Sequence, residues 1–441
     1  MKLFKGKLTL ILLTVIIILG FALRWNNLYT WPRQGATFDE YAWTWQGISI
    51  IKTGIPTSWS FHPQYKIRHE IRYQKTPFVI VTPYLEHPPV FGLVAGSFAL
   101  LSGAKDMYHV NLHNIRGLAL ILGTISIFLV FLLGRELYDE KIGLFSALLY
   151  ATIPTIVIGS RIVQNENFFI PVWLVVLFLT SKYIKTKNVW LRNLAALLCG
   201  LLMLAKVPWV AAAFSVCVIF IFYRRYSDIA KFLAIVIPLF LLYFVYGFYY
   251  DKDIFLRLWG LQLNRYDIGF NSIFALFQKP YLADRFYTDG WILWGWVTFI
   301  IVCLKDLKKN IFLISAVLSY FIIFLAAIPD EAGHGWYRYP FYPFLILSVA
   351  IFLKDYFSKN FVLTFLFLVF IGTSLFEVTW APTFGFSYVV FRLAIIGWGL
   401  TLIPAYLPQK NISKFAKIIS YAWFGIFILM NIWSVLIYNE M

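Results

Sequence analysis

Apolar runs of roughly 16–22 residues follow one another along this chain from Leu8 to Tyr438, with no polar stretch between them long enough to fold separately. Runs of that length, repeated so often, call for a polytopic helical bundle in lipid, because only helices or closed barrels satisfy their backbone there. Only 13% of the residues are charged and 61% are hydrophobic, against about 25% charged in a soluble domain. The fold expected is therefore all-α, with one integral membrane domain over residues 1–441. The formal charge of +17 does not indicate nucleic acid as a partner, since the basic residues are scattered through short loops. Cys199, Cys217 and Cys303 lie inside apolar runs and offer neither an external disulfide framework nor a metal spacing.

Spans are expected near 7–24, 113–134, 142–160, 168–182, 192–206, 208–223, 231–250, 290–304, 310–328, 339–353, 361–377, 386–407 and 416–438, about thirteen in all. Residues 1–22 resemble a signal peptide but are read as an uncleaved first span. With the N-terminus in the cytoplasm, the short basic loops sort to the inside: Lys182, Lys185 and Lys187; Arg224 and Arg225; Lys305, Lys308 and Lys309; Lys354 and Lys359; Lys410, Lys414 and Lys417. The stretch from Pro88 to Ala104 would invert every later loop if it crossed, so it is expected to be an outer interfacial or re-entrant helix. The external loops then run over about 25–112 and 251–290. In the first, Phe38, Tyr41, Trp45, Ile48 and Ile51 recur at helical spacing, as in a helix lying in the membrane interface. In the second, Trp259, Tyr266, Phe270, Phe277, Tyr281 and Tyr287 mix with charges.

This topology puts all six histidines, His62, His69, His87, His109, His113 and His334, on the outer side with most of the acids. Titratable groups gathered on one face mark where chemistry would be done. Thr37-x-x-Glu40 reads as a capping box, which sets Asp39 in the first turn of a helix, where the dipole favours a carboxylate. The alternative is that Asp39 and Glu40 merely cap an interfacial helix. Glu86-His87-Pro88-Pro89 would start the outer helix, with His87 at an N-terminus suited to phosphate or simply in a rigid turn. Arg161 and Glu166 flank a turn at the same face, where a salt bridge or a snorkelling arginine is the plainer account. Lys206 and Arg338 also sit at outer span ends, and Tyr339 beside Arg338 fits an aromatic belt as well as a site. His109-x₃-His113 has metal spacing without an accompanying carboxylate motif. Span interiors hold almost no charge, Arg116 and Arg392 excepted, which disfavours an ion-coupled transporter.

Taken in order, Asp39-Glu40, His87-Pro88-Pro89, Ser160-Arg161 with Glu166 five residues on, Lys206 at a span junction, and Arg338-Tyr339-Pro340 with Pro343 resemble the GT-C membrane glycosyltransferases, nearest to the protein O-mannosyltransferase and aminoarabinose transferase group. The resemblance covers essentially the whole chain, although each motif is short. It implies an inverting transfer of sugar from a polyprenyl-phosphate-linked donor to a protein, lipid or glycan acceptor on the outer side of a cell membrane. Asp39 would be the base, with Glu40 and Glu166 the other acids of the site. His87, Arg161, Lys206, Arg338 and Tyr339 would hold the donor phosphate, and Arg161 would orient Glu166 or that phosphate. Many relatives carry Asp where this chain has Glu166, which puts metal binding in doubt; a divalent metal ion, if there is one as cofactor, would sit on Asp39 and Glu166. The rival functions are a lipid-linked sugar flippase or transporter and a glycan polymerase or ligase.

Overall fold

The structure is a computed structural model that describes residues 2–264, 273–274, 276, 289–327 and 335–440. It is a helical bundle that carries a small external layer at one end. Ten helices are used below: α1 (Lys2–Trp25), α2 (Asp39–Thr53), α3 (Val90–Leu101), α4 (Leu112–Leu137), α5 (Glu140–Thr152), α6 (Pro154–Gly159), α7 (Asn165–Thr186), α8 (Val189–Met203), α9 (Val210–Phe222) and α10 (Tyr226–Leu263). Seven helices among the described residues are long and apolar enough to cross a membrane: Gly6–Trp25, Leu112–Leu137, Asn165–Thr186, Tyr226–Leu263, Phe361–Phe384, Tyr388–Tyr406 and Lys410–Ile437. The other expected spans fall on shorter helices, so helix length alone does not establish a count of thirteen.

Local chemistry explains the breaks. The expected span 142–160 is two helices, because Ile153 precedes Pro154 and takes an extended conformation (ψ 122°), as the proline ring demands of its predecessor. The Asn111 side chain caps α4, accepting from the amides of His113 and Asn114, and the Asn114 side chain accepts from the Asn111 amide. Asp139 caps α5 in the same way through the amides of Lys141 and Ile142. Helix α10 is interrupted at Asp251 (φ −164°, ψ 99°), and beyond it the chain folds back so that Phe255 packs on Gly247. Trp259 stacks on Phe244, whereas Tyr266, Phe270, Phe277, Tyr281, Tyr287 and His334 lie outside the described residues.

The external layer departs from an all-helical expectation. Residues 58–82 form a three-stranded antiparallel sheet in the order β1-β3-β2, with β1 Ser58–Trp59, β2 Ile67–Tyr73 and β3 Thr76–Thr82. The register pairs Ile71 with Phe78 and Tyr73 with Thr76, so Gln74 and Lys75 alone make the turn. Both have positive φ, 49° and 69°, the backbone of a two-residue hairpin that usually selects Asn-Gly. The sheet covers α2 through Phe78, whose ring meets Trp45 edge-on at 5.2 Å and Phe38 at 5.1 Å.

Helix α2 is enclosed on nearly every side: every residue from Glu40 to Ser49 is buried. The expectation of a helix lying at a lipid interface is therefore corrected. Its polar side chains find protein partners, as when the Thr44 hydroxyl donates to the Glu40 carbonyl at 2.7 Å. Against α3 it approaches backbone to backbone: a Cβ on Gly47 would stand 1.8 Å from the Gly92 oxygen, and one on Gly96 would stand 2.5 Å from the Gly47 carbonyl carbon. Small residues four apart let two helices meet this closely.

Charges partition between the two ends of the bundle. At one end Glu136 takes Lys182 and Lys185, each at 2.6 Å, and Asp139 pairs with Lys354. The Thr9 hydroxyl near the start of α1 donates to Glu140 there. Arg116, Asp39 and the start of α7 lie at the other end; along α4, Arg116 stands about 30 Å from Glu136 at 1.5 Å per residue.

Candidate active site

The first turn of α2 is fixed from beneath. Arg116, from α4, donates through Nε and Nη2 to the two Glu40 oxygens at 3.1 and 3.0 Å, and both residues are wholly buried. The same guanidinium donates to the Leu28 and Pro32 carbonyls, and Glu40 also accepts from the Val163 amide at 3.0 Å. Glu40 therefore ties α2 to α4 and to the turn before α7. The expected capping box does not form: no side chain caps α2, and the Thr37 hydroxyl accepts from the Asp39 amide at 3.2 Å.

Four consecutive polar residues, Gln164-Asn165-Glu166-Asn167, build the facing wall. The Gln164 amide nitrogen donates to Asp39 Oδ2 at 3.1 Å and to the Thr37 hydroxyl at 2.8 Å, while its oxygen accepts from the Trp43 indole at 3.3 Å. Asn167 donates to the Gly159 and Ile162 carbonyls, which locks the turn. Asn165 donates to the Ala205 carbonyl and accepts from the Trp209 indole at 2.6 Å, which pins the junction between α8 and α9. Lys206 stands in that junction in extended conformation, and its ammonium donates to Glu166 Oε1 at 2.7 Å. Tyr337 lies 4.7 Å and Trp209 5.4 Å from that ammonium, both presenting ring faces to it. The second Glu166 oxygen has no hydrogen-bond partner among the described residues.

Asp39 is half-buried, and burial pushes its carboxyl above the ordinary value, while the Gln164 hydrogen bond and the charge of Lys206 pull the other way. Asp39 and Lys206, from distant parts of the chain, thus lie within electrostatic range of each other without forming an ion pair. His87 joins from α3's approach: its ring lies 4.7 Å from Trp43, and its carbonyl accepts from the Gln46 amide at 3.1 Å. The first amide of α3, that of Val90, donates to the Leu204 carbonyl, so the helix start is docked beside Lys206.

Of the residues singled out from sequence, Asp39, Glu166 and Lys206 therefore form one cluster, with His87 reaching it through Trp43. Tyr339 packs on Gly159, where a Cβ would come within 2.4 Å of its hydroxyl, and it lies within electrostatic range of Glu166. Arg338 is buried near Tyr339 and Tyr342. Arg161 does not meet Glu166: it donates to the Leu23 carbonyl at 2.8 Å and to the Trp31 carbonyl at 3.3 Å, satisfying the end of α1. Gln164, Asn165 and Asn167 escaped the sequence reading, although four consecutive polar side chains in so apolar a chain were a signal. His109 pairs with Asp106 and His113 stacks on Tyr29.

A metal on Asp39 and Glu166 fits this donor set poorly, because the Lys206 ammonium already takes one Glu166 oxygen and lies close to Asp39. Among the described residues no three His, Cys, Asp or Glu side chains gather to hold one.

The family model for dolichyl-phosphate-mannose-protein mannosyltransferases matches residues 86–250, the stretch that carries His87, Gln164, Glu166 and Lys206. No curated protein matches the chain as a whole or in part. Among solved structures it is similar to ArnT from Cupriavidus metallidurans bound to undecaprenyl phosphate, at 13% identity and a TM-score of 0.56, covering 97% of this chain and 77% of that one. It is also similar to the Archaeoglobus fulgidus oligosaccharyltransferase in its apo form (13% identity, TM-score 0.52, 95% and 56% of the two chains). The arabinosyltransferase EmbB from Mycobacterium smegmatis matches at 12% identity and a TM-score of 0.56, over 96% and 40%. With its apolar spans and short helices beside them, the chain has the GT-C fold that these structures share.

Proposed function

We propose that the chain transfers a sugar, with inversion at the anomeric carbon, from a polyprenyl-phosphate donor to a hydroxyl of a protein, lipid or glycan acceptor on the outer side of a cell membrane. The observation that carries this reading is the convergence of the Asp39 carboxyl and the Lys206 ammonium, with Glu166 holding the latter, at the bundle end opposite the basic loops. If those basic loops face the cytoplasm, the cluster faces outward.

In a single displacement, the acceptor oxygen bonds to the anomeric carbon as the bond from that carbon to the phosphate oxygen breaks. The acceptor proton passes to Asp39, and polyprenyl phosphate departs with the bonding pair. Negative charge grows on the phosphate along this path, so a fixed ammonium stabilises the transition state more than the bound donor. An ammonium has three donors, and Glu166 uses one, which leaves Lys206 able to reach a phosphate while held in place. His87, Arg338 and Tyr339 flank this position as further donor-binding groups. Glu40 and Arg161 act at a distance, by fixing α2 and the end of α1. The undecaprenyl phosphate held by the ArnT structure supports a lipid phosphate as the donor's anchor.

The test is transfer of labelled hexose from undecaprenyl-phosphate hexose by the full chain in proteoliposomes. Asp39→Asn should fold, bind donor and lose about 10²–10⁴-fold in rate. Undiminished transfer by that variant would sink the base assignment, and labelled lipid crossing the bilayer without a product would replace the transferase by a flippase.

A further inference from the structure

A cavity of about 480 Å³ opens on the sheet side of α2, immediately before Asp39 in sequence. Its walls are the half-buried rings of Phe38 and Tyr73, with the buried rings of Tyr41 and Phe78 behind them and Gln74 and Lys75 at the hairpin turn. The walls are organised by hydrogen bonds: the Tyr41 hydroxyl donates to Gln74 Oε1 at 3.0 Å, and Gln74 Nε2 donates to the Tyr73 hydroxyl at 3.3 Å. Phe38, the residue before Asp39, belongs to the cavity wall, while the Asp39 carboxyl faces Gln164 and Lys206. Phe38 and Asp39 are neighbours, so the cavity and the cluster adjoin at the first turn of α2, and an acceptor seated in the cleft has to reach around that turn to present its hydroxyl to Asp39.

We infer that this cleft binds the acceptor, and that the acceptor is a saccharide bearing an anionic group. The assignment rests on the transfer reaction proposed above. Aromatic faces accept the apolar face of a sugar ring while the hydroxyls at its rim need donors and acceptors, and ring walls with an amide and phenol hydroxyls supply both. Pockets of this kind, largely aromatic with a few placed polar groups, are the usual form of small-ligand sites, and this volume is within their range. The charge argument concerns Lys75. It is exposed, it makes no ion pair among the described residues, and its positive φ of 69° holds it at the mouth of the cleft. Left-handed backbone at this position favours glycine over lysine, so the turn carries a cation where the local geometry would favour its removal. An ammonium at the mouth of an aromatic cleft complements a carboxylate or phosphate on a sugar.

Saturation-transfer NMR on the detergent-solubilised full chain tests this, with methyl glucuronide and methyl glucoside as probes and a serine- and threonine-containing peptide as the competing class. Both glycosides should receive saturation, the glucuronide more strongly. Tyr73→Ala should weaken the effect about fivefold for both, as loss of a ring face implies, while Tyr73→Phe keeps it. Lys75→Gln, an exposed change that leaves the fold intact, should erase the preference for the glucuronide. Asp39→Asn should bind both probes as the parent does, so a failed transfer assay and a failed cleft are separable results. Absence of glycoside saturation, a response insensitive to Tyr73→Ala and Lys75→Gln, or peptide binding that Tyr73→Ala removes would overturn the assignment.

Discussion

Asp39 and Glu40 are neighbours with opposite tasks. Glu40 has both oxygens engaged by Arg116 and no exposure, while Asp39 is half-buried and joined to Gln164 and Lys206. Removing one partner of a buried ion pair leaves the other charge uncompensated, so Glu40→Ala should cost about 3–5 kcal/mol of stability, read as a lower thermal midpoint in detergent. Asp39→Asn should instead leave the midpoint near that of the parent while transfer falls about 10²–10⁴-fold. Burial raises the Asp39 pKa, and a base works only when deprotonated, so the rate should fall as pH decreases and should begin to do so above the pH at which an ordinary aspartate protonates. An acid limb in the ordinary aspartate range would contradict that. Asp39, Glu166 and Lys206 were legible in sequence because acids and a lysine at outer span ends stand out against an apolar chain. Gln164 was not, since an amide carries no charge signature, and its task of joining Thr37, Trp43 and Asp39 exists only after α2 and the turn before α7 meet. Arg161 does not meet Glu166, because its guanidinium is taken by the Leu23 carbonyl in the last turn of α1 and the Trp31 carbonyl beyond it.

At the scale of elements, three glycines decide where the outer helix sits. Gly47, Gly92 and Gly96 allow α2 and α3 to touch through backbone, and that contact carries the Gln46 bond to the His87 carbonyl and the Trp43 ring to the His87 ring. Gly96→Leu should overpack this contact by about 1–3 kcal/mol and raise the KM for donor more than it lowers kcat, which steady-state kinetics in proteoliposomes would check. The expectation that α3 stays outside the membrane rests on charge bookkeeping alone, because a crossing there would export every basic loop. The sheet was missed although Ile71, Tyr73, Phe78 and Ile80 lie on alternating positions. Its turn is Gln-Lys, which lacks the Gly or Asn that marks a two-residue hairpin, so the pairing depends on Trp45, Tyr41 and Phe38 beneath it. The amphipathic reading of α2 failed for a related reason. A helix covered on both sides by α3 and the sheet has no lipid face, and its polar residues bond within protein.

Over the whole molecule, the ion pairs of Glu136 and Asp139 and the Asp39 cluster occupy opposite ends of α4. In right-side-out vesicles a cysteine introduced at Lys75, in a background without Cys199, Cys217 and Cys303, should react with a membrane-impermeant maleimide. One introduced at Lys187 should react only after permeabilisation, and the reverse pattern would place the cluster on the cytoplasmic side. The membrane class and the helical fold were determined by the sequence itself. Those features follow from the cost of burying charge and unpaired backbone in hydrocarbon, and that cost is paid residue by residue along the chain. Which acid is available for chemistry, which arginine is spent on carbonyls, and which lysine faces Asp39 were decided only by the tertiary structure. Pairing energies depend on distance between side chains that the sequence leaves far apart, and packing of α2 against α3, α4 and the start of α7 is what sets those distances.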